Sequence, residues 1–351
     1  MIATRLQGIE VLRVFAIFMV ILIHSTPEYT DGAETNVAAL ILQSVSRAGF
    51  ICFFIISGYF ALNEKIVSLK KYYYNRFVAI VIPFLIYAYI HYFMLHFNFG
   101  RDDHALSGFF SLTTVTEFLH AVIIGPALHG SMFVSLHFWF VYWILGAITV
   151  APFVGYVIQR LEPGIRLKAI AFLLCISWYQ LYIKRYFPDA YIITLPFISD
   201  GWFIYFLIGG LINGLDLTKY KKYAYGLCIT GYALTLLLTW FNFTVAGNNQ
   251  APYGIDINMV LCACGFFIVF QTLREGPLTR WIAKASRHTY GIYLTHVFMM
   301  YFVSGFTKKA TSSDIINSVF TAVMAFILAL IFSFIIDNVF VLRLLKKLKF
   351  G

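Results

Sequence analysis

Long apolar segments recur along the whole sequence, and they restrict the possible folds more than any other feature. A helix needs about 20 mostly apolar residues to cross the hydrocarbon core of a bilayer. Apolar residues make up 60% of this chain and charged residues 12%, whereas soluble domains carry about 25% charged residues. We therefore predict an all-α integral membrane protein, a polytopic bundle in a single domain that spans residues 1–351.

Ten segments are apolar enough to be membrane helices, and the fifth is the shortest. They are residues 8–26, 38–62, 73–97, 136–159, 167–183, 196–214, 221–244, 257–274, 289–306 and 315–342. The longest loop, 98–135, contains apolar stretches near 108–112 and 118–128. We expect this loop to fold back on the bundle as an amphipathic or re-entrant piece.

The Lys and Arg residues are concentrated in alternate loops between these segments. Basic loops lie on the cytoplasmic side of membrane proteins, so the alternation predicts that both the N-terminus and the C-terminus are cytoplasmic. Removing one helix would place the later basic loops on the wrong side, and the pattern therefore favours the full set of ten.

Three other kinds of protein are disfavoured. The net charge of +10 does not indicate nucleic-acid binding, because the basic residues form short clusters between apolar segments instead of one basic face. All five cysteines lie inside apolar segments, and no spacing is typical of a metal site. We expect no disulfide and no metal.

The first segment contains costly polar residues on one face. Arg13 and His24 are eleven positions apart, close to three helical turns, which is about 16 Å along the axis. Glu10 precedes Arg13 by three positions and can pair with it. Arg13 as a snorkelling anchor and His24 as an interfacial histidine are the alternatives. Because lipid-facing stripes rarely carry two such groups, the shared face favours a functional site.

The second segment adds Arg47 and Ser57. Arg47 lies about nine residues from the outer end, so we expect it to face the bundle interior near His24 or the outer half of the first helix. A structural, carbonyl-bonded arginine is the alternative. Ser57 and Gly58 are small, and close helix packing is an alternative to a binding role there.

Basic residues also mark the cytoplasmic ends of the third and ninth segments. Lys70, Lys71 and Arg76 precede or open the third, and Arg287 precedes the ninth. Each is either a positive-inside anchor or a phosphate ligand. Pro83 predicts a kink in the third helix.

Polar aromatic residues mark the fourth and ninth segments. His137 and Trp139 open the fourth, where an aromatic belt is the alternative to a substrate site. Tyr293 and His296 lie in the ninth, where a buried, hydrogen-bonded structural histidine is the alternative.

Four motifs in this order resemble the membrane acyltransferase 3 family. They are Glu10, Arg13 and His24; Phe53-Phe54 with Ser57-Gly58-Tyr59; Trp139-Phe140; and Ser286, Tyr290-Gly291, Tyr293-Leu294 and His296. Residues 46–59 are most similar to the branch that holds the O-acetyltransferase of enterobacterial common antigen. Members often carry a second basic residue three positions after the first in the third helix, where this chain has Ala79.

The resemblance implies a fold of ten membrane helices. It also implies an enzyme that moves an acyl group, often acetyl, from cytoplasmic acyl-CoA to a sugar or another acceptor, commonly across the membrane. It also assigns the role of general base to the position of His24, which suits a neutral histidine near pH 7. Arg47 is our candidate for stabilising the oxyanion.

The resemblance also suggests the partners of this chain. The acyl-CoA phosphates are expected near Lys70, Lys71, Arg76 and Arg287, and the pantetheine arm is expected to pass Arg13, held by Glu10. Ser57, His137, Trp139, Tyr293 and His296 are the predicted acceptor-binding residues. The expected acceptor is a cell-envelope glycan or lipid-linked sugar, the expected location is the cytoplasmic (inner) membrane, and the acyl group is acetyl or succinyl.

Two other functions are weighed against this one. A transporter or flippase predicts internal repeats and paired broken helices, and the sequence has neither. A non-catalytic component of a polysaccharide-synthesis complex would bind partners but not acyl-CoA. Since the site residues carry the functional prediction and the fold does not, the motifs favour the acyltransferase.

Overall fold

The computed structural model describes residues 7–27, 30–31, 34–96, 107–126, 135–187, 189–191, 201–246, 251–307 and 310–350. Within these ranges the regular structure is helical, apart from one antiparallel pair of two-residue strands, Thr30–Asp31 and Glu34–Thr35. The helices are α1 (Gln7–Ser25), α2 (Val37–Ser46), α3 (Ala48–Ala61), α4 (Leu69–Arg76), α5 (Ile82–His96), α6 (Leu112–Ile124), α7 (Trp139–Ile158), α8 (Pro163–Tyr186), α9 (Gly201–Ile212), α10 (Lys221–Trp240), α11 (Ile257–Gln271), α12 (Pro277–Ala285), α13 (Thr289–Thr307), α14 (Asp314–Ile336) and α15 (Leu342–Phe350).

Three segments are π-helical and lengthen the helices that they adjoin. Phe77–Val81 joins α4 to α5, Phe241–Val245 extends α10, and Asp337–Val341 joins α14 to α15. The π-helix is rare, and single π-helical turns inside α-helices are frequent at functional sites. Short 3₁₀ turns, Leu136–Phe138 and Ser286–His288, lead directly into α7 and α13.

Among the described residues, seven helical stretches are long and apolar enough to cross a membrane. They are Gln7–Ser25, Val37–Ala61, Leu69–Met94, Leu136–Ile158, Pro163–Tyr186, Leu217–Val245 and Asp314–Leu348. The prediction of an all-helical, multi-pass membrane protein is therefore confirmed. The fifth predicted span is longer than expected, since α8 has 24 residues.

The remaining three predicted spans are also helices, but each is either too short or too polar to be counted among these seven. α9 has 12 residues and α11 has 15, which is short for a full crossing. α13 has 19 residues but is rich in Tyr and Thr and contains His296. The number ten and the cytoplasmic position of both termini stay predictions, and residues 196–200 of the sixth span lie outside the described part of the chain.

The predicted loop 98–135 contains helix α6, which includes part of the apolar stretch 118–128. α6 buries Thr114, Phe118 and Ala121 on one face and exposes Leu119 and Ile123. Both faces of α6 therefore carry apolar residues, so the helix is less amphipathic than expected. Residues 97–106 and 127–134 are not among the described residues, and neither are the predicted loop cations Arg5, Arg101, Lys308 and Lys309.

The chain divides into two compact units, each assembled from separate stretches of sequence. The first comprises Met1–Lys65, Val150–Arg287 and Ala310–Phe320, and the second comprises Ile66–Thr149, His288–Lys309 and Thr321–Gly351. The prediction of a single domain concerns the whole chain and stays a prediction.

Close backbone contact between α3 and α9 holds the centre of the first unit together. A Cβ atom added at Gly58 would lie 1.8 Å from the carbonyl oxygen of Phe206, and one added at Gly209 would lie 2.1 Å from that of Ile55. Only glycine permits this approach, as at other small-residue helix contacts in membranes. The packing interpretation of Gly58 is therefore correct, and it fixes the end of α3 next to Ser57.

We expect Gly58→Ala and Gly209→Ala each to destabilise the first unit by about 1–3 kcal/mol, because the added methyl group meets backbone atoms of the facing helix. Gly226→Ala on α10 is the matched control, since no atom lies within 4 Å of the added Cβ. Thermal unfolding of the purified protein in detergent measures the effect. A melting temperature in either variant equal to that of Gly226→Ala would contradict this account of the contact.

Candidate functional site

A buried carboxylate joins α1 to the turn that precedes α13. Glu10 is 5% exposed and accepts hydrogen bonds from Arg13 Nη1, at 3.3 Å from Oε1, and from Ser286 Oγ. The predicted Glu10–Arg13 pair is thereby confirmed, and Ser286 is an additional partner. A buried carboxylate with charged and neutral donors is well satisfied, so Arg13 has a fixed position.

Arg13 is also held from a second side. Its guanidinium carbon lies 5.2 Å from the centre of the Phe60 ring on α3, and 28% of its side chain is exposed. Arg287 follows Ser286 directly and is exposed. This end of the first unit therefore has two arginines near Glu10. Arg13 is half-buried and bonded to Glu10, and Arg287 is exposed and follows Ser286, which also bonds to Glu10.

His24 lies on the last turn of α1, and its side chain is exposed. Gln43 on α2 holds this end of the helix, because its Nε2 donates to the carbonyl oxygens of Ile23 at 3.4 Å and Pro27 at 3.5 Å. The backbone on both sides of His24 is thus attached to α2. Gln43 is 7% exposed, so these contacts are shielded from solvent.

Arg47 lies between α2 and α3 with a helical backbone, inside the continuous stretch Val37–Ala61, as predicted. Its Nη2 donates to Gln43 Oε1 at 2.7 Å, and its guanidinium carbon lies 4.6 Å from the centre of the Tyr253 ring. Gln43, which bonds to the backbone on both sides of His24, therefore also bonds to Arg47. This shared contact places Arg47 in the same region of the first unit as His24, and the roles of both residues stay predictions.

One donor of Arg47 is still available. Its Nε is buried, and no described residue accepts a hydrogen bond from it. Buried donors are almost always paired in folded proteins, and an exception is typical of a functional or strained site. Arg47 therefore combines a fixed side chain with an unused N–H group.

Three of the four basic residues predicted as phosphate ligands belong to the second unit. Lys70 and Lys71 are exposed on the first turn of α4. Arg76, at the end of α4, packs over the Tyr72 ring at 5.2 Å. The π-helical segment Phe77–Val81 begins directly after it and contains Ala79.

Three predicted acceptor-binding residues lie together in the second unit. The ring centres of His137 and His296 are 5.2 Å apart, and Tyr293 donates its hydroxyl hydrogen bond to the carbonyl oxygen of His137. His91, which the sequence did not suggest, lies 4.9 Å from His137 between ring centres. All four are buried, which agrees with the structural interpretation of His296. No group of three or more His, Cys, Asp or Glu residues in the described ranges could hold a metal ion.

Trp139 and Ser57, the other two predicted acceptor-binding residues, are half-buried. Trp139 packs edge-to-face on Phe140, with 6.3 Å between ring centres, and Phe140 in turn contacts the Tyr293 ring at 5.6 Å. Ser57 lies on α3 in the first unit, beside the Gly58 contact. Trp139 is thus adjacent in sequence to the histidine cluster, and Ser57 is not part of it.

A second buried polar cluster in the second unit was not predicted. His288 Nδ1 lies 2.6 Å from Asp337 Oδ2, and Tyr87 donates to Asp337 Oδ1 at 2.7 Å. Asp337 opens the π-helical segment of the last helix. Its presence in a long apolar sequence was the available signal, since a membrane carboxylate needs partners.

A comparison with protein families identifies the family of the whole chain. The family model described as an acyltransferase domain matches residues 6–338, nearly the whole chain. The chain belongs to the membrane acyltransferase 3 family. No curated protein and no solved structure matches it. This membrane acyltransferase is therefore assigned to its family by sequence, and the specific branch stays a prediction.

Two residues of the candidate site around Arg47 were not predicted from the sequence. Gln43 had a signal, since it is a polar residue in an apolar helix, four positions before Arg47 and hence on the same face. Tyr253 had none, because it lies in a loop more than 200 positions from Arg47. The roles predicted for the site residues are considered below as proposals.

We expect Glu10→Ala to destabilise the acyltransferase by about 3 kcal/mol, because it leaves Arg13 and Ser286 without their shared acceptor. Glu10→Gln keeps an acceptor oxygen and should cost less. Glu275→Ala, at an exposed position, is the control and should change stability by about 0.5 kcal/mol at most. Thermal unfolding in detergent distinguishes them, and equal melting temperatures for Glu10→Ala and Glu275→Ala would refute the assignment.

Proposed function

We propose that this acyltransferase moves an acyl group, most simply acetyl, from cytoplasmic acyl-CoA to a hydroxyl of a cell-envelope glycan or lipid-linked sugar. The observation that carries the proposal is the arrangement of α1. At one end, Gln43 links the exposed His24 to the fixed Arg47, and the other end has the Glu10–Arg13 pair. The two ends are about 16 Å apart along the helix axis.

His24 is the proposed general base. A neutral imidazole takes the proton of the acceptor hydroxyl as the oxygen attacks the thioester carbonyl. The tetrahedral intermediate then collapses, the carbon–sulfur bond breaks, and the imidazolium returns the proton to the departing thiolate. The products are the ester and CoA thiol, and the histidine ends in its starting form.

Arg47 is the proposed stabiliser of the oxyanion. The negative charge that develops on the carbonyl oxygen needs a preorganised donor, because a donor that must first reorient loses much of its effect. Gln43 and Tyr253 hold the guanidinium, and its Nε–H has no acceptor among the described residues. These contacts support Arg47 in this role.

The opposite end of α1 is the proposed entry for the donor. Acyl-CoA carries several phosphates and stays on the cytoplasmic side, so its head group needs exposed cations there. Arg287 is exposed and next to Ser286, and Arg13 is oriented by Glu10 along the proposed path of the pantetheine arm. Lys70, Lys71 and Arg76 stay predicted phosphate ligands from the sequence alone.

The other two functions have less support. Membership of an acyltransferase family favours group transfer over a transporter or flippase and over a non-catalytic scaffold. We place the enzyme in the cytoplasmic membrane, because acyl-CoA is cytoplasmic and the expected acceptors are assembled at that membrane. A multi-pass protein that carries substrate across liposomes but transfers no acyl group would favour the transporter instead.

The direct test is turnover of acetyl-CoA by the purified protein with candidate lipid-linked glycans, with the acetylated product identified by mass spectrometry. We expect His24→Ala to lower kcat by about 10²–10⁴-fold, as for the loss of a general base. His120→Ala, an exposed histidine on α6, is the matched control and should keep full activity. A properly inserted His24→Ala protein that retains activity would rule out this mechanism.

The two arginines should fail in different ways. Arg47→Gln should lower kcat by about 10²–10³-fold, as for the loss of an oxyanion donor, with little change in the KM for acyl-CoA. Arg13→Ala should mainly raise that KM, because it removes a contact to the donor before the chemical step. Steady-state kinetics with varied acyl-CoA separate the two, and unchanged constants for either variant would remove that residue from the site.

A further inference from the structure

The loop 251–256, between the π-helical segment after α10 and the start of α11, is held by side chains from three helices. Trp178 on α8 donates to the carbonyl oxygen of Ile255 at 2.9 Å, Tyr205 on α9 donates to that of Gly254 at 2.9 Å, and Asn258 on α11 donates to that of Pro252 at 3.0 Å. Loops with exposed backbone are usually mobile. In this loop, three backbone carbonyl oxygens accept side-chain hydrogen bonds, which restrains the backbone.

A buried ion pair fixes the end of the same loop. Arg185 Nη1 donates to Asp256 Oδ1 at 2.7 Å, and the two side chains are 10% and 2% exposed. The other carboxylate oxygen, Oδ2, accepts from the backbone N–H of Gly254 at 3.3 Å. A buried ion pair adds little net stability, but it specifies one geometry strongly, because any displacement leaves a buried charge without its partner.

The side chain that this rigid loop presents is Tyr253. Its ring lies against the Arg47 guanidinium at 4.6 Å, and its hydroxyl accepts a long hydrogen bond from Thr239 at 3.5 Å. An arginine over an aromatic face is attracted to it electrostatically. Arg47 is thus held by Gln43 on one side and by the Tyr253 ring on the other.

We propose that Tyr253 is a positioning residue of the acyltransferase: its ring, fixed by the loop 251–256, holds the Arg47 guanidinium in the orientation that stabilises the oxyanion. This inference rests on the proposed role of Arg47. Tyr253 takes no part in bond making. With the Tyr253 ring in place, the Arg47 guanidinium is already ordered before the reaction begins. Removal of the ring should therefore lower kcat and leave the KM for acyl-CoA unchanged.

The experiment replaces Tyr253 by phenylalanine and then by phenylalanines with increasing numbers of ring fluorines. Fluorination weakens the negative potential of the ring face with little change of shape, so folding is preserved while the attraction to Arg47 is reduced. We expect Tyr253→Phe to keep kcat within about threefold, since only the long Thr239 bond is lost. With the fully fluorinated ring, kcat should fall by about tenfold, in steps that follow the number of fluorines.

Tyr156 provides the matched control. It also lies under an arginine, Arg160, but it is an exposed residue at the far end of α7 and outside the site. The same fluorinated series at Tyr156 should leave kcat unchanged. A kcat that does not respond to fluorination at position 253, or that falls equally at both positions, would overturn the proposal.

A double-variant cycle separates this inference from the proposed function. In the Arg47→Gln background, Tyr253→Leu should cause no further loss of kcat, because the residue through which it acts is gone. An additive further loss would mean that Tyr253 acts through the fold instead. If Arg47→Gln alone has full activity, the proposed role of Arg47 fails; if it is impaired while Tyr253→Leu and the fluorinated series are fully active, only the positioning role fails.

Discussion

The structure depends on one constraint: a chain with few charged residues in an apolar environment must provide a partner for each one that it buries. In the first unit this holds for Glu10, which accepts from Arg13 and Ser286, and for Asp256, which pairs with Arg185. In the second it holds for Asp337, with His288 and Tyr87. Each of these contacts joins segments that a hydropathy profile predicts as separate helices. Each contact therefore helps to determine which helices are neighbours.

Hydropathy and helical spacing were sufficient for the interactions within one helix. The Glu10–Arg13 pair and the position of His24 at the end of α1 follow from intervals of three and eleven residues. The position of Arg47 in the same region as His24 also followed, because it was expected to face the interior near the outer half of the first helix. The contacts of Ser286 and Tyr253 did not, since nothing in a single sequence specifies which distant loop or turn reaches a given helix.

Helix ends were predicted less well than helix positions, for a related reason. α8 continues to Tyr186 because Lys184 and Arg185 stay helical, and Arg185 has a buried partner in Asp256 that hydropathy does not record. α11 begins at Ile257, as predicted, directly after the bonded loop at Tyr253, and it ends at Gln271, three residues before the predicted end. Long-range polar contacts therefore adjoin both the end of α8 and the start of α11.

The π-helical segment after Arg76 changes how residue spacing is to be compared between relatives. In such a segment each backbone bond spans five residues instead of four, so the side chains that follow are rotated relative to those of a regular helix. Ala79, where relatives often have a second cation, lies within Phe77–Val81. The residue three positions after Arg76 therefore has a different angular direction from the one it would have in a regular α-helix. Structural superposition, and not numerical offset, is the valid basis for equating positions along this helix.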